Sequence, residues 1–188
     1  MGSNSRTIAM FDSPPTIRAA RPEDLPEIQA IYSHYVTHSV ASFEIGAPDA
    51  AEMARRFEAI TARGFPYFVA EVDGKVTGFA YASTYRARAA YDFTVEDSVY
   101  VSPAHLQRGI GRALLRALIE ACTEAGFRRM VAVIGDSANH GSINLHRACG
   151  FTDAGVLPSA GFKFGRWVDS VRMQRPLGEG DTTPPWRS

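Results

Sequence analysis

Cysteine is scarce in this chain, with two in 188 residues, Cys122 and Cys149, and neither sits in a metal-ligand spacing. A disulfide scaffold and a zinc module are both disfavoured, and a reducing cytoplasm is the expected compartment. The histidines His34, His38, His105 and His140 have no metal spacing either, so no metal is expected. Charge of one sign is missing too: 20 basic residues balance 20 acidic ones. Without a broad field, neither a nucleic-acid partner nor an anionic membrane surface is expected. No apolar run reaches the roughly 20 residues of a membrane-spanning helix. Met1 to Pro15 is polar and Ser-rich and has no signal-peptide apolar region. Internal repeats and low-complexity blocks are absent as well.

What remains is ordinary for a globular enzyme or binding domain: 45% hydrophobic and 21% charged residues, in a length that suits one domain. Residues 1–15 read as a disordered extension, 16–177 as the domain, and 178–188 as a flexible tail rich in Gly, Pro and Thr.

Thr16 to Ala20 reads as a short strand. Pro22, Glu23 and Asp24 open a helix, in which Leu25, Ile28, Ile31, Tyr32 and Tyr35 recur at helical spacing. A second helix fits Asp49 to Ala62. Asp73-Gly74 marks a tight hairpin between strands 67–72 and 76–83. A central strand follows at 92–101, then a helix from Ile110 to Ala125 stopped by Gly126. Met130 to Ile134 is an apolar run suited to a strand covered on both faces. A helix at 141–149 and a final strand at 167–175 complete the order. The fold class is therefore α/β, with a mixed sheet and helices on both faces rather than regular βαβ units.

The densest information lies between Asp92 and Leu115. A strand ends at Pro103, a short basic loop carries Gly109 and Gly111, and an amphipathic helix starts at Ile110. That order aims loop N–H groups and the positive end of a helix dipole at one point, a cradle for a phosphate-bearing ligand. Glu96 stands on the strand just upstream, a candidate base. Asp97 belongs on the opposite face of a regularly paired strand, and only a bulge would exchange the two.

The order of elements and the Gly109-Ile110-Gly111 loop resemble the Gcn5-related N-acetyltransferase (GNAT) superfamily. Five segments carry a closer likeness to its phosphinothricin and methionine sulfone–sulfoximine acetyltransferase branch: residues 69–74, 87–92, 99–103, 131–135, and 160–165 with Trp167. The resemblance spans about Thr16 to Gln174. It implies a mostly antiparallel central sheet and acetyl-CoA as cosubstrate. Pyrophosphate would lie on Gln107, Arg108, Gly109, Ile110, Gly111 and Arg112, and the pantetheine arm would pair with Val99, Tyr100 and Val101. Asn139 is the implied cofactor contact before the following helix. The superfamily pattern begins with Gln or Arg, where Leu106 stands here, which bears on the side-chain contribution at that position.

The same resemblance implies Glu96 as base, directly or through water, and His146 as proton donor or relay. On residues alone, His146 reads first as a satisfied core histidine, and a solvated edge acid is the lesser alternative for Glu96. Arg86, Arg88 and Tyr91 precede the Glu96 strand and are candidates for the acceptor pocket, where a carboxylate or phosphinate wants arginine. Phe43 and Lys163 are further candidates. The expected acceptor is a small amino-acid-like amine, and the branch implies a homodimer. Competing readings are a GNAT enzyme for a polyamine, an aminoglycoside or a protein N-terminus, and an acyl-CoA sensor without turnover.

Overall fold

The computed structural model describes residues 14–185. Most of the extension expected at residues 1–15 thus lies outside the described residues. Chain order is β1 (Thr16–Ala19), α1 (Leu25–His38), α2 (Ala50–Thr61), β2 (Tyr67–Val72), β3 (Lys75–Thr84), β4 (Thr94–Val101), α3 (Ile110–Glu124), β5 (Arg129–Gly135), α4 (His140–Ala148), β6 (Thr152–Lys163) and β7 (Arg166–Pro176). The sheet has seven strands ordered β1-β2-β3-β4-β5-β7-β6. All neighbours are antiparallel except β4 and β5.

Asp73 and Gly74 both take positive φ, 51° and 74°, which lets the β2–β3 hairpin close in two residues. Along β3 the side chains alternate. Ala80 and Ala82 face α3, whose Leu114, Leu115, Leu118 and Cys122 are wholly buried. Phe79 faces the other way, with Val69, Val76 and Met53, onto α1 residues Ile28 and Val36. Small residues on β3 let α3 lie close. A Cβ on Gly78 would sit 3.0 Å from the Tyr100 carbonyl and 3.1 Å from Leu114. Each fully buried leucine of α3 contributes about 1.5–3 kcal/mol by leaving water, so this side anchors the loop that precedes it.

The six-strand order read from the sequence missed β6. Its residues 152–160 are all exposed and it pairs only with β7, so no buried face imposes an alternating pattern. Pro158 and two register shifts against β7 further hide it. Two starts also differ. A 3-10 turn at Pro22–Asp24 precedes α1, and another at Ala89–Tyr91 delays β4 to Thr94. Beyond Leu177, which is buried, residues 178–183 form turns tied to Arg128. That guanidinium donates to the Glu179 carboxylate and the Thr183 carbonyl.

Candidate active site

β4 and β5 pair in parallel only from Thr94↔Arg129 to Asp97↔Ala132. Past Asp97 they part, while β3 keeps its hold on β4 as far as Val101. The backbone of Ser98 to Val101 therefore has one edge unpaired with β5. Such an edge accepts an extended amide-bearing chain as another strand would be accepted. Tyr35 of α1 donates its hydroxyl to the Val101 carbonyl at 2.5 Å, a tie that the sequence did not announce.

A cleft of about 1060 Å³ opens along this fork. Its walls include Glu96, Val99, Tyr100, Val101, Gln107, Gly109, Ile110, Gly111, Arg112, Asn139 and His146, together with Phe43 of the loop after α1. The structure brings those residues together along one cleft. Arg86, Arg88, Tyr91, Arg108 and Lys163 do not line it. Residues missed by sequence reasoning include Asp97, Tyr32, Tyr35, Tyr81 and Ser142. Their signal was helical or strand spacing, which reports packing alone.

At one end of the cleft the loop between β4 and α3 reverses sharply. Gln107 and Gly109 take positive φ of 60° and 80°, and α3 starts immediately after. The first N–H groups of α3 have no intrahelical acceptor, and they meet the helix dipole there. Gly109 supplies the left-handed turn at no steric cost. Gly111 also serves packing: a Cβ there would press on Leu145 at 3.2 Å. Its smallness lets α3 approach α4. Leu106, half exposed, lines the cleft where the superfamily pattern has a polar side chain.

β3 and β4 pair without a register shift, so Glu96 and Asp97 do point to opposite faces. Glu96 is partly buried. Burial pushes its pKa above the usual carboxylate range, the nearby Asp97 charge pushes the same way, and Arg86 and Arg172 pull it back. Arg86 thus lies near enough to act on the Glu96 carboxylate without lining the cleft. It stacks on Tyr85 at 5.2 Å, and Tyr85 meets Tyr91 edge-on at 5.6 Å.

Asp97 and His146 are both buried, and His146 Nε2 lies 2.9 Å from Asp97 Oδ2. Its Nδ1 lies 2.7 Å from the Ser142 carbonyl one turn back. Asn139 is the N-cap of α4 and accepts from Ser142 N–H at 3.2 Å.

Opposite the fork, residues 39–45 are clamped between α1 and the β6–β7 hairpin. Tyr32 donates to Glu44 at 2.7 Å, Arg56 pairs with Glu44 at 2.6 Å, and buried Lys163 donates to the Ser42 carbonyl at 2.7 Å. Lys163 therefore holds the loop that carries Phe43. Gly161 of β6 lies directly under the Phe43 ring, where any Cβ would overlap it.

An open parallel fork, a glycine-turned helix N-terminus and a carboxylate beside them fit one cosubstrate, a pyrophosphate-bearing thioester on an extended amide arm. A family model described as the acetyltransferase (GNAT) family matches residues 28–151. The chain belongs to the GNAT family. As a member, it is an acetyl-CoA-dependent N-acetyltransferase. It is 54% identical over 170 residues to a phosphinothricin N-acetyltransferase of Alcaligenes faecalis, covering 90% of this chain and 86% of that one. It is 42% identical over 164 residues to an L-methionine sulfoximine/L-methionine sulfone acetyltransferase of Salmonella typhimurium, covering 87% and 95%. Among solved structures, a GNAT superfamily phosphinothricin acetyltransferase from Sinorhizobium meliloti in complex with AcCoA superposes with a TM-score of 0.89 at 50% identity, covering 92% and 94%. The GNAT assignment also accounts for the mixed, mostly antiparallel sheet. Among the described residues no helix is long and apolar enough to cross a membrane.

Proposed function

We propose that this GNAT enzyme acetylates the α-amino group of a small amino acid bearing a tetrahedral phosphorus or sulfur centre, of the phosphinothricin, methionine sulfoximine and methionine sulfone class. The relatives at 54% and 42% identity support the acceptor class. The observation that carries the chemistry is Glu96, a carboxylate with a raised pKa at the root of the fork.

When bound, acetyl-CoA supplies a thioester at the fork. The chain's own residues do the rest. An ammonium group must lose a proton before it can attack a carbonyl. Glu96 takes that proton, directly or through a water, and its raised pKa makes it a stronger base than a free glutamate. N–H groups at the open edge of β4 meet the charge that develops on the carbonyl oxygen. The first N–H groups of α3 hold the phosphates. His146 is the expected relay to the departing thiolate. Any proton it gives up leaves a nitrogen bonded to Asp97 or to Ser142.

Arg86 borders the acceptor side and favours an anionic acceptor over a polyamine. The loop clamped by Lys163 sets Phe43 as a wall of the same pocket. The reading includes a homodimer. Phe162, Phe164 and Trp167 at the tip of the β6–β7 hairpin are 57%, 58% and 63% exposed, and Val156 and Leu157 continue the apolar surface. A surface of that kind fits a second copy of the chain.

The test is release of CoA thiol with phosphinothricin, methionine sulfoximine, methionine sulfone, spermidine and a peptide amine as parallel acceptors. Turnover confined to the first three is expected. Turnover with spermidine or the peptide alone would retain the enzyme and remove the small-acid pocket. Silence with acetyl-CoA still bound would favour a sensor.

A further inference from the structure

Where β4 and β5 separate, the last paired residue on β4 is Asp97, and across the gap it meets His146 of α4. α4 follows β5 after a short turn, so a bond from α4 to β4 spans the fork at its root. The two side chains are 1% and 5% exposed. Both ring nitrogens of His146 face acceptors: Asp97 Oδ2 at 2.9 Å and the Ser142 carbonyl at 2.7 Å. A neutral imidazole has one N–H and donates one such bond, whereas imidazolium donates both. Asp97 Oδ1 is buried and has no hydrogen-bond partner, so the imidazolium is the principal compensation for the carboxylate.

We propose that Asp97 is a positioning residue for the transfer: it holds His146 as imidazolium across the root of the fork and so fixes the width of the acetyl-CoA slot. The cleft walls bear this out, since Ala132 and Val133 on β5, Leu145 and Ser142 on α4, and Val99 on β4 all face the space that the pair spans. The Phe151 ring meets the imidazole edge-on at 5.0 Å and leaves it little room to turn. Burial by itself would lower the His146 pKa; the Asp97 charge and bond, with the Ser142 carbonyl, reverse this and hold it above the ordinary value. The other titratable groups at the pair are Glu96 on β4, Cys122 on α3 and Cys149 just after α4. Arg112 and Arg116 of α3 and Arg175 of β7 act on Cys149. Glu96 feels the same Asp97 charge, so the pair also bears on the base.

The proposal rests on the acetyl-CoA slot and does not depend on which amine is acetylated. Its test uses nitrogen-15 NMR of the histidine rings in the intact protein, with the His146 signals identified by their loss in His146→Gln. Both His146 nitrogens should carry protons at neutral pH, and the titration midpoint should lie above that of the exposed histidines. In Asp97→Asn the ring should keep one proton at neutral pH, and KM for acetyl-CoA should rise about ten- to a hundredfold, with a smaller fall in kcat. Direct calorimetric titration with acetyl-CoA should show the same loss, whether or not any acceptor is turned over. A wild-type ring that carries one proton at neutral pH overturns the proposal. So does an Asp97→Asn protein with wild-type affinity for acetyl-CoA.

Discussion

The two halves of the cleft are built in different ways. The proposed cofactor half centres on one stretch of chain, residues 98–112, faced by β5 and α4, and the end of that stretch is fastened by a helix with six buried side chains. It offers main-chain N–H and carbonyl groups, and its glycines provide a left-handed turn at Gly109 and a close approach at Gly111. The proposed acceptor half is assembled from residues far apart in sequence: Phe43 on the 39–45 loop, held from behind by Lys163 and Gly161 of β6, and Glu96 on β4, with Arg86 nearby but outside the lining. It offers side chains, several of them exposed. Backbone recognition tolerates sequence change as long as geometry survives, which suits a cosubstrate shared across a family. Side-chain recognition changes with single residues, which suits acceptor choice.

The largest expected effect separates chemistry from binding. Glu96→Gln should lower kcat by about 10²- to 10⁴-fold, while acetyl-CoA affinity measured by calorimetry stays near wild type. Equal loss of both would mean that Glu96 shapes the cofactor half as well. Next comes stability. Leu118→Ala, in the buried face of α3, should cost about 2–5 kcal/mol in denaturant unfolding. Phe162→Ala on the exposed hairpin should stay within about 0.5 kcal/mol for the monomer. A large loss at Phe162 that depends on protein concentration would instead locate a dimer contact there.

Gly161→Ala probes the acceptor wall. The added methyl overlaps the Phe43 ring and must displace it. Overpacking of this kind costs about 1–3 kcal/mol, and it should appear as a higher KM for the acceptor with an unchanged KM for acetyl-CoA. A rise in the acetyl-CoA value alone would break the division between the halves.

The smallest effect is in pH dependence. A base works only when ionised, so the acid limb of kcat/KM should lie above the ordinary glutamate value, as burial and Asp97 raise Glu96. Arg86 acts in the lowering direction, and Arg86→Ala should move the limb to still higher pH. An unmoved limb would remove Arg86 from the neighbourhood of the base. Stability carries a linked signature. The raised His146 contributes fully below its unfolded value of about 6.5, and that contribution is lost as pH rises through its folded value.

Much of this was legible before any coordinates. The Asp73-Gly74 hairpin, the helical spacing of α1 and α3, and the strand–loop–helix at 94–124 all depend on local rules, and they appear within a few residues of where the sequence put them. β6 was not legible, because an exposed strand with a single neighbour has no burial pattern to display. The opposite faces of Glu96 and Asp97 followed from the two-residue strand repeat. The partner of Asp97 did not, since His146 lies 49 residues on. Lys163 likewise showed as a buried ammonium on the Ser42 carbonyl, 121 residues away, only once β6 was folded back on the α1 loop.

By itself, then, the sequence determined the order of every strand and long helix but β6, the glycine-turned helix start and the carboxylate beside it, because each depends on backbone preferences over a handful of neighbouring residues. Only the tertiary structure decided that β4 and β5 part after Asp97, that His146 has an acceptor at each nitrogen, and that Phe43 lies on Gly161. Those facts depend on which distant surfaces exclude water from one another, and that is settled by packing the whole chain at once.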